Sequence, residues 1–366
     1  MDSDLILVIV VAAALTFDFT NGFHDTANVV ATSISTHALT PRIAVGMAAL
    51  LNFAGAFISI EVAATVAKDV VQATAITPTV IFAGLVGAIS WNLITWYFGL
   101  PSSSSHALIG GMVGASVAAV GTSAVIGEGV LGKVLIPAVL APIIAFIIGV
   151  LAITVAYLIC GRLRPGPASQ GFRLGQIASG GMLALAHGTN DAQKTMGVIT
   201  LALIANGNLP STGFEVPTWV IVASATAIAL GTYTGGWRII RTMGTKIIKM
   251  DPAQGFSAQG AGAAVILASS HFGYPLSTTQ VIAGGIMGAG AGKRVSAVRW
   301  GVAGNLVVAW VLTLPAAAAI GAASYGFTSI FGDGAAGPLL LSVMAIGLGL
   351  ALYGRRIRTG EPVPQV

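Results

Sequence analysis

The stretch GLPSSSSHALIGG, residues 99–111, decides how this chain is read. Four consecutive serines and a histidine stand there between two long apolar segments. GYPLSTTQVIAGG, residues 273–285, repeats its order: Gly, one residue, Pro, one residue, Ser, two hydroxyl residues, a polar group, three residues and Gly-Gly. A second pair of motifs accompanies the first. NGFHDTAN at 21–28 and AHGTNDAQK at 186–194 align Asp25 with Asp191, 166 residues apart (191 − 25), while Pro101 and Pro275 are 174 apart (275 − 101). Two motifs in one order at nearly one spacing mark an internal duplication.

The composition says where those motifs lie. Of 366 residues, 55% are hydrophobic and 8% charged, with a mean hydropathy of +0.89. Soluble domains carry about 25% charged residues. Apolar runs recur along the whole length, and about 20 such residues span a bilayer. The expected fold is an all-α polytopic membrane protein of two inverted repeats, with roughly 10–12 membrane segments including two re-entrant helical hairpins. Leu5 to Phe17 reads as the first membrane helix rather than a signal peptide, because Asp2 and Asp4 stand where a basic segment would be needed and no small-residue cleavage site follows.

Seventeen basic and twelve acidic residues give a net charge of +5. The basic residues fall in short connections: Arg162, Arg164 and Arg173; Arg238, Arg241, Lys246 and Lys249; Lys293, Arg294 and Arg299; Arg355, Arg356 and Arg358. That distribution is the positive-inside bias of a membrane protein and not a nucleic-acid surface. The lone Cys160 excludes an intramolecular disulfide and a multi-cysteine metal site, and reads as a helix-end residue.

The duplication divides the chain into repeat one (1–160), a basic cytoplasmic connector (161–173), repeat two (174–353) and a polar tail (354–366). The connector, rich in Pro, Gly and Arg, reads as a loop. Inverted repeats would place it and the basic tail on opposite faces, and the connector is the stronger topological signal because tail charges orient a chain less decisively. Matched, Gly- and Pro-interrupted segments in two halves point to a secondary transporter with its site at the repeat interface.

In each hydroxyl segment the flanking apolar arms read as too short to span alone, which favours a re-entrant turn beside a cavity. Pro ahead of Ser and Thr is a helix-start signal. Ser103, Ser104 and Ser105, and Ser277, Thr278 and Thr279 followed by Gln280, are therefore expected at helix N-termini, where free N–H groups and the positive dipole end bind anions. Two such tips facing each other would wrap a tetrahedral oxyanion. Gly110, Gly111, Gly284 and Gly285 would let the arms pack closely. The bland alternative is serines bonding back to their own helix, which suits a single serine better than matched clusters.

Asp25 and Asp191 are flanked by apolar sequence and each has an amide neighbour, Asn28 and Asn190. An ionisable residue in a membrane helix is a functional hypothesis by default, and carboxylate plus amide oxygens suit a hard cation. An anion imported against the membrane potential needs such coupling. Asn28 aligns with Lys194, so an ammonium group stands where a cation could bind, paired with Asp191 or touching the anion. His24 titrates near neutral pH. A fixed Lys194 and a titratable His24 favour H⁺ over Na⁺ as coupling ion.

Other polar residues carry weaker signals. Asp18 and Asn21 read as helix breakers ahead of the first motif, Asn52 and Asn92 as interhelical bonds, His187 as structural, and Glu61 as a helix-end group. A hydrolase of Ser105, His106 and Asp191 is disfavoured: His106 follows Ser105 directly, its repeat partner is Gln280, and no G-x-S-x-G elbow is near. No P-loop run exists, so ATP-driven transport by this chain alone is unsupported.

NGFHDTANVVAT, WNLITWYFGLPSSSSHALIGG, ALAHGTNDAQKTMGVI and GYPLSTTQVIAGG together resemble the inorganic phosphate transporter (PiT) family, nearest its bacterial low-affinity Pit type, over about Asp18 to Gly292. The resemblance implies an inverted-repeat symporter of inorganic phosphate in the inner or plasma membrane, with the hydroxyl residues above on the anion and Asp25, Asn28, Asn190 and Asp191 at the coupling cation. Sodium-coupled members resemble A-N-D-x-A-N in both halves. This chain departs from that pattern with His24 in the first half and Gln193-Lys194 in the second, in keeping with protons. Bacterial relatives are similarly held to accept metal–phosphate complexes, which implies metal as cargo and no resident metal or other cofactor. Eukaryotic members carry a large central insert that the short connector lacks. The family also includes sulfate permeases, so a sulfate or other oxyanion permease and a sodium-coupled symporter stand as alternatives. An anion channel is a further one, against which the two carboxylates count. The expected partners are phosphate, a coupling cation and the bilayer, with no nucleic acid; a homodimer is compatible, although no residue specifies one.

Overall fold

A computed structural model describes residues 2–359 apart from 73–75, 162–163, 211 and 333. Arg162 of the connector and 360–366 of the tail lie outside the described residues. Helices dominate: α1 (Asp2–Ser35), α2 (Pro41–Gly55), α3 (Glu61–Lys68), α4 (Pro78–Phe98), α5 (Ser104–Val120), α6 (Gly127–Gly129), α7 (Ile136–Cys160), α8 (Pro165–Ala205), α9 (Thr218–Thr234), α10 (Trp237–Arg241), α11 (Pro252–His271), α12 (Thr278–Lys293), α13 (Trp300–Ser329) and α14 (Ala336–Thr359). Four stretches are long and apolar enough to cross a membrane by themselves: Asp4–Ser35, Pro78–Phe98, Gly127–Cys160 and Trp300–Ser329. A fifth, Thr218–Thr234 with Trp237–Lys246, bends by 62° at its break.

Two apolar clusters bracket a polar middle. In one, Ile6, Val10 and Phe17 of α1 pack with Val80 and Ile81 of α4 and with Met196 and Ile199 of α8. In the other, Ala27 and Val30 of α1 join Leu183 and Ala184 of α8, and Trp96 of α4 packs against it. So α4 runs parallel to α1, and α8 runs antiparallel to it. The matched Asp motifs thus meet at an antiparallel crossing, with apolar packing above and below.

The hydroxyl segments form the same structure twice. α4 ends on Gly99 at φ +64°, and Leu100 N–H donates back to Thr95 O at 2.9 Å. α11 ends ahead of Gly273 at φ +71°, and Tyr274 N–H donates to Ser269 O at 2.9 Å. Glycine takes the left-handed conformation that stops each helix, and Pro two residues on prevents its restart. Ser103 then caps α5 by accepting from His106 N–H, and Ser277 caps α12 by accepting from Gln280 N–H. Glycine also sets the packing of these short helices. A Cβ on Gly110 or Gly114 would run into the α13 backbone at Leu314 and Ala318, and one on Gly284 or Gly288 into the α7 backbone at Pro142 and Phe146. No side chain other than hydrogen permits that approach. α7 carries the lipid-facing load: only 17% of its span is buried, against 61% for α4.

Three expectations are corrected. Asp18 and Asn21 do not break α1, which is continuous over 34 residues. The hydroxyls of Thr20 and Thr26 bond to carbonyls of their own helix at 2.8 and 2.6 Å, so polar residues enter this span without interrupting its ladder. The 161–173 connector is mostly helix, because Pro165 opens α8 in the first-turn position that suits proline. Finally, α4 is not a short arm: its 21 residues reach about 31 Å at 1.5 Å per residue, enough to cross.

Candidate functional site

The centre is built from α1, α8 and the first turns of α5 and α12. Asp25 and Asp191 are both buried, each near the middle of a long helix. The α12 tip lies between them: Thr278 Oγ1 is 3.3 Å from Asp25 Oδ2 and 3.3 Å from Asp191 Oδ2. Thr279 Oγ1 is 3.4 Å from Asp25 Oδ1, and Asn28 Nδ2 donates to the Thr279 hydroxyl at 2.9 Å. From the α5 tip, the Ser104 hydroxyl donates to Asp25 Oδ1 at 3.2 Å. The tips also touch each other, since the Ser105 hydroxyl donates to Leu276 O at 2.8 Å.

The two carboxylates are held differently. Lys194 Nζ lies 2.5 Å from Asp191 Oδ1, 2.5 Å from Ser105 Oγ and 2.8 Å from Leu276 O. Three donors meet three acceptors, so this buried ammonium is fully satisfied. Its ligands, a carboxylate, a hydroxyl and a backbone carbonyl, are also those of a bound hard cation. Asp25 has no such fixed charge. His24 Nδ1 sits 2.6 Å from Asp25 Oδ1, and His24 Nε2 lies 3.1 Å from the Thr95 hydroxyl, which accepts from Ser102 at 2.8 Å.

The repeat alignment shows a swap. Repeat one reads Asn21, His24, Asp25 and Asn28; repeat two reads His187, Asn190, Asp191 and Lys194 at the matching positions. Each Asp has one imidazole, but the positions are exchanged: His24 aligns with Asn190, and His187 with Asn21. His187 Nε2 lies 3.1 Å from Asp191 Oδ2, and its Nδ1 lies 3.2 Å from Asn52 Oδ1. Ligand atoms of Asp25, His187 and Asp191 all fall within 4.8 Å of one another, a spacing able to hold a metal ion.

Most of the residues singled out in the sequence converge here: Asp25, Asn28, His24, Asp191, Lys194, Ser104, Ser105, Thr278 and Thr279. Ser103 and Ser277 stand at the same tips but spend their hydroxyl oxygens as caps. Asn190 turns to the α11 end, donating to Ser270 Oγ at 2.9 Å and Tyr274 O at 3.1 Å. Gln280 faces elsewhere. Its amide lies 3.4 Å from His106 Nδ1, and both line an apolar cavity of about 650 Å³ beside α7 and α13. Sequence reasoning read His187 as structural and passed over Thr95 and Ser102 as site residues. The repeat offset was a usable signal for His187, because it places that residue one helical turn before Asp191.

Comparison with known proteins shows the family. The model of the Phosphate transporter family matches residues 21–169 and 163–321. A probable low-affinity inorganic phosphate transporter of Mycobacterium leprae is 52% identical over 96% of this chain and 84% of its own length. One of Mycobacterium bovis is 54% identical over 89% of this chain and 78% of its own. A solved sodium-dependent phosphate transporter superposes with a TM-score of 0.79 over 88% of this chain and 98% of its own, at 24% identity, which speaks to fold. With its multiple apolar helices and this buried polar crossing, the chain is a multi-pass membrane protein of the Phosphate transporter family, a transporter and not an enzyme.

Proposed function

We propose that the chain imports inorganic phosphate by cation symport, with the proton as coupling ion and the anion bound between the α5 and α12 tips. One observation carries the reading: two hydroxyl-lined helix N-termini converge on a buried centre of two carboxylates and one ammonium. With both histidines neutral that centre holds one net negative charge. The tips supply N–H groups, hydroxyls and positive dipole ends for an oxyanion. The carboxylates repel the anion until cations neutralise them, so phosphate and cations enter together or not at all. Lys194 permanently holds one cation position. His24 with Asp25 is the pair left to gain and lose a proton.

Alternating access then moves the loaded, neutralised centre from one side to the other. The antiparallel α1–α8 crossing and the matched glycine contacts of α5 and α12 support two inverted repeats that rock about it. A cavity of about 640 Å³ lined by Arg238, Arg241 and Lys246 borders Gly99, ahead of the α5 tip, and suits an anion entrance. A second reading of the cargo has its own support: the Asp25, His187 and Asp191 trio would favour phosphate carried as a divalent metal complex.

The test is uptake of radiolabelled phosphate into proteoliposomes under imposed pH or sodium gradients, with sulfate as competitor. Accumulation driven by pH, indifferent to sodium and sulfate, is expected. Accumulation that requires sodium overturns the proton assignment, and competition by sulfate overturns the substrate.

A further inference from the structure

Among the described residues three carboxylates are buried in the helix bundle, and the account above uses two. Asp25 has an imidazole and hydroxyl donors; Asp191 has an ammonium and an imidazole. Asp18, wholly buried on α1 and two turns before Asp25, has neither an imidazole nor an ammonium beside it. A desolvated carboxylate with no paired cation is a costly group, retained in a membrane helix only where something neutralises it.

The surroundings identify what could. The Asp18 carboxyl accepts from the Thr195 hydroxyl of α8 and feels the charges of Lys194, which adjoins Thr195, and of Asp191, one turn before it. Asn21 shares the Asp18 face of α1, three residues on. Asn92 of α4 precedes Thr95 by three residues, as Asn21 precedes His24. Because His24 touches Thr95 and the two helices run parallel, both amides stand at one level of the bundle. Thr195, Asn21 and Asn92 are buried, and both polar atoms of each amide are unpartnered. Orphaned polar atoms are rare in folded proteins; here the two amides Asn21 and Asn92 share the condition. The repeat does not account for them, since the position matching Asp18 is Ala184.

We propose that Asp18, Asn21, Asn92 and Thr195 form a site for one monovalent cation, separate from the phosphate centre and one turn of α8 from Asp191. The donor set is one carboxylate, two amide oxygens and one hydroxyl, all hard oxygens. A single negative charge matches a single positive one, whereas a divalent ion would leave net charge in an apolar interior. The cation is Na⁺ among the four oxygens or H⁺ on the carboxylate. Its binding is felt by Asp191 and Lys194, which links occupancy of the site to the phosphate centre. The role as a coupling site rests on the phosphate symport proposed above; the binding site itself does not.

The experiment is the cation-to-phosphate ratio in proteoliposomes, read from the gradient that just balances accumulated phosphate, for wild type and Asp18→Asn. The expected result is a ratio lower by one for Asp18→Asn. Loss of the response to sodium identifies Na⁺ and loss of the response to pH identifies H⁺. An unchanged ratio overturns the proposal. If Asp18→Asn does not fold or move phosphate, Thr195→Val decides: it should raise the half-saturating cation concentration about tenfold, a coupling of the usual size, and a wild-type value overturns the site. If wild type moves no phosphate, the functional reading has failed by itself. The site is then read from the melting temperature of the purified protein. Its dependence on Na⁺ or pH should flatten in Asp18→Asn, and an unflattened dependence overturns the proposal.

Discussion

At the scale of residues, the centre is an argument about charge. Lys194 and Asp191 are a buried ion pair, and breaking such a pair costs more than the pair contributes, because one charge is left uncompensated. Lys194→Met should destabilise the protein by about 3–5 kcal/mol, and Lys194→Met with Asp191→Asn should recover much of that loss, as thermal unfolding in detergent will show. Equal instability of the single and double variants would mean that the bonds of Lys194 to Ser105 and Leu276, and not its pairing with Asp191, hold the site together. Asp25→Asn keeps the shape of the site but removes the group left to take a proton, so uphill phosphate uptake should disappear while the protein stays folded. This pairing was legible in the sequence because alignment put Lys194 opposite Asn28. The role of His187 was legible too, since it stands one helical turn before Asp191, but it was read as structural. The direction of Gln280 was not legible: spacing located it on the first turn of α12, but only packing turned its amide toward His106.

At the scale of elements, local chemistry explains why the hairpins were readable. Gly, then Pro, then a capping Ser is punctuation that needs no tertiary context, and the structure obeys it at both tips. The continuity of α1 and α8 was not readable, because a buried Asp breaks a helix or sits inside one according to its neighbours. Close packing gives a direct prediction. Gly114→Ala and Gly288→Ala push a methyl into facing backbone and should each cost about 1–3 kcal/mol. Gly304→Ala on α13, where the added atom meets open space, should stabilise by about 0.5–1 kcal/mol. Outside the spans, Asp251 caps α11 by accepting from Gln254 N–H at 2.9 Å and from Lys293 Nζ at 2.8 Å. Burial alone would raise its carboxyl, but the Lys293 and Gln254 bonds, the Lys293 charge and the Tyr157 hydroxyl together hold it below the usual carboxylate range. A depressed carboxyl stabilises the fold above its unfolded value and stops doing so as pH falls through the folded one. Asp251→Ala should therefore cost about 0.5–2 kcal/mol at neutral pH, and the difference should fade as the medium is acidified below about pH 4.

For the whole molecule, the duplication was the most informative feature, since it placed two polar motifs from distant sequence in one site. The number and direction of crossings were less legible, because α8 and α11 are too polar to announce themselves as spans. The single Cys160, half-buried at the end of α7 beside the basic connector, is a natural reporter of sidedness. An impermeant maleimide should label it from the cytoplasmic face only. The claim on which everything else rests is that phosphate is held between the two hydroxyl tips. Equilibrium binding of radiolabelled phosphate to the purified protein, wild type against Ser104→Ala with Thr279→Val, tests it without any assumption about coupling. Loss of two hydroxyls on a charged ligand, about 1.5–3 kcal/mol each, predicts at least a tenfold weaker binding with the fold intact. Wild-type affinity in that variant would place the anion elsewhere and contradict the account.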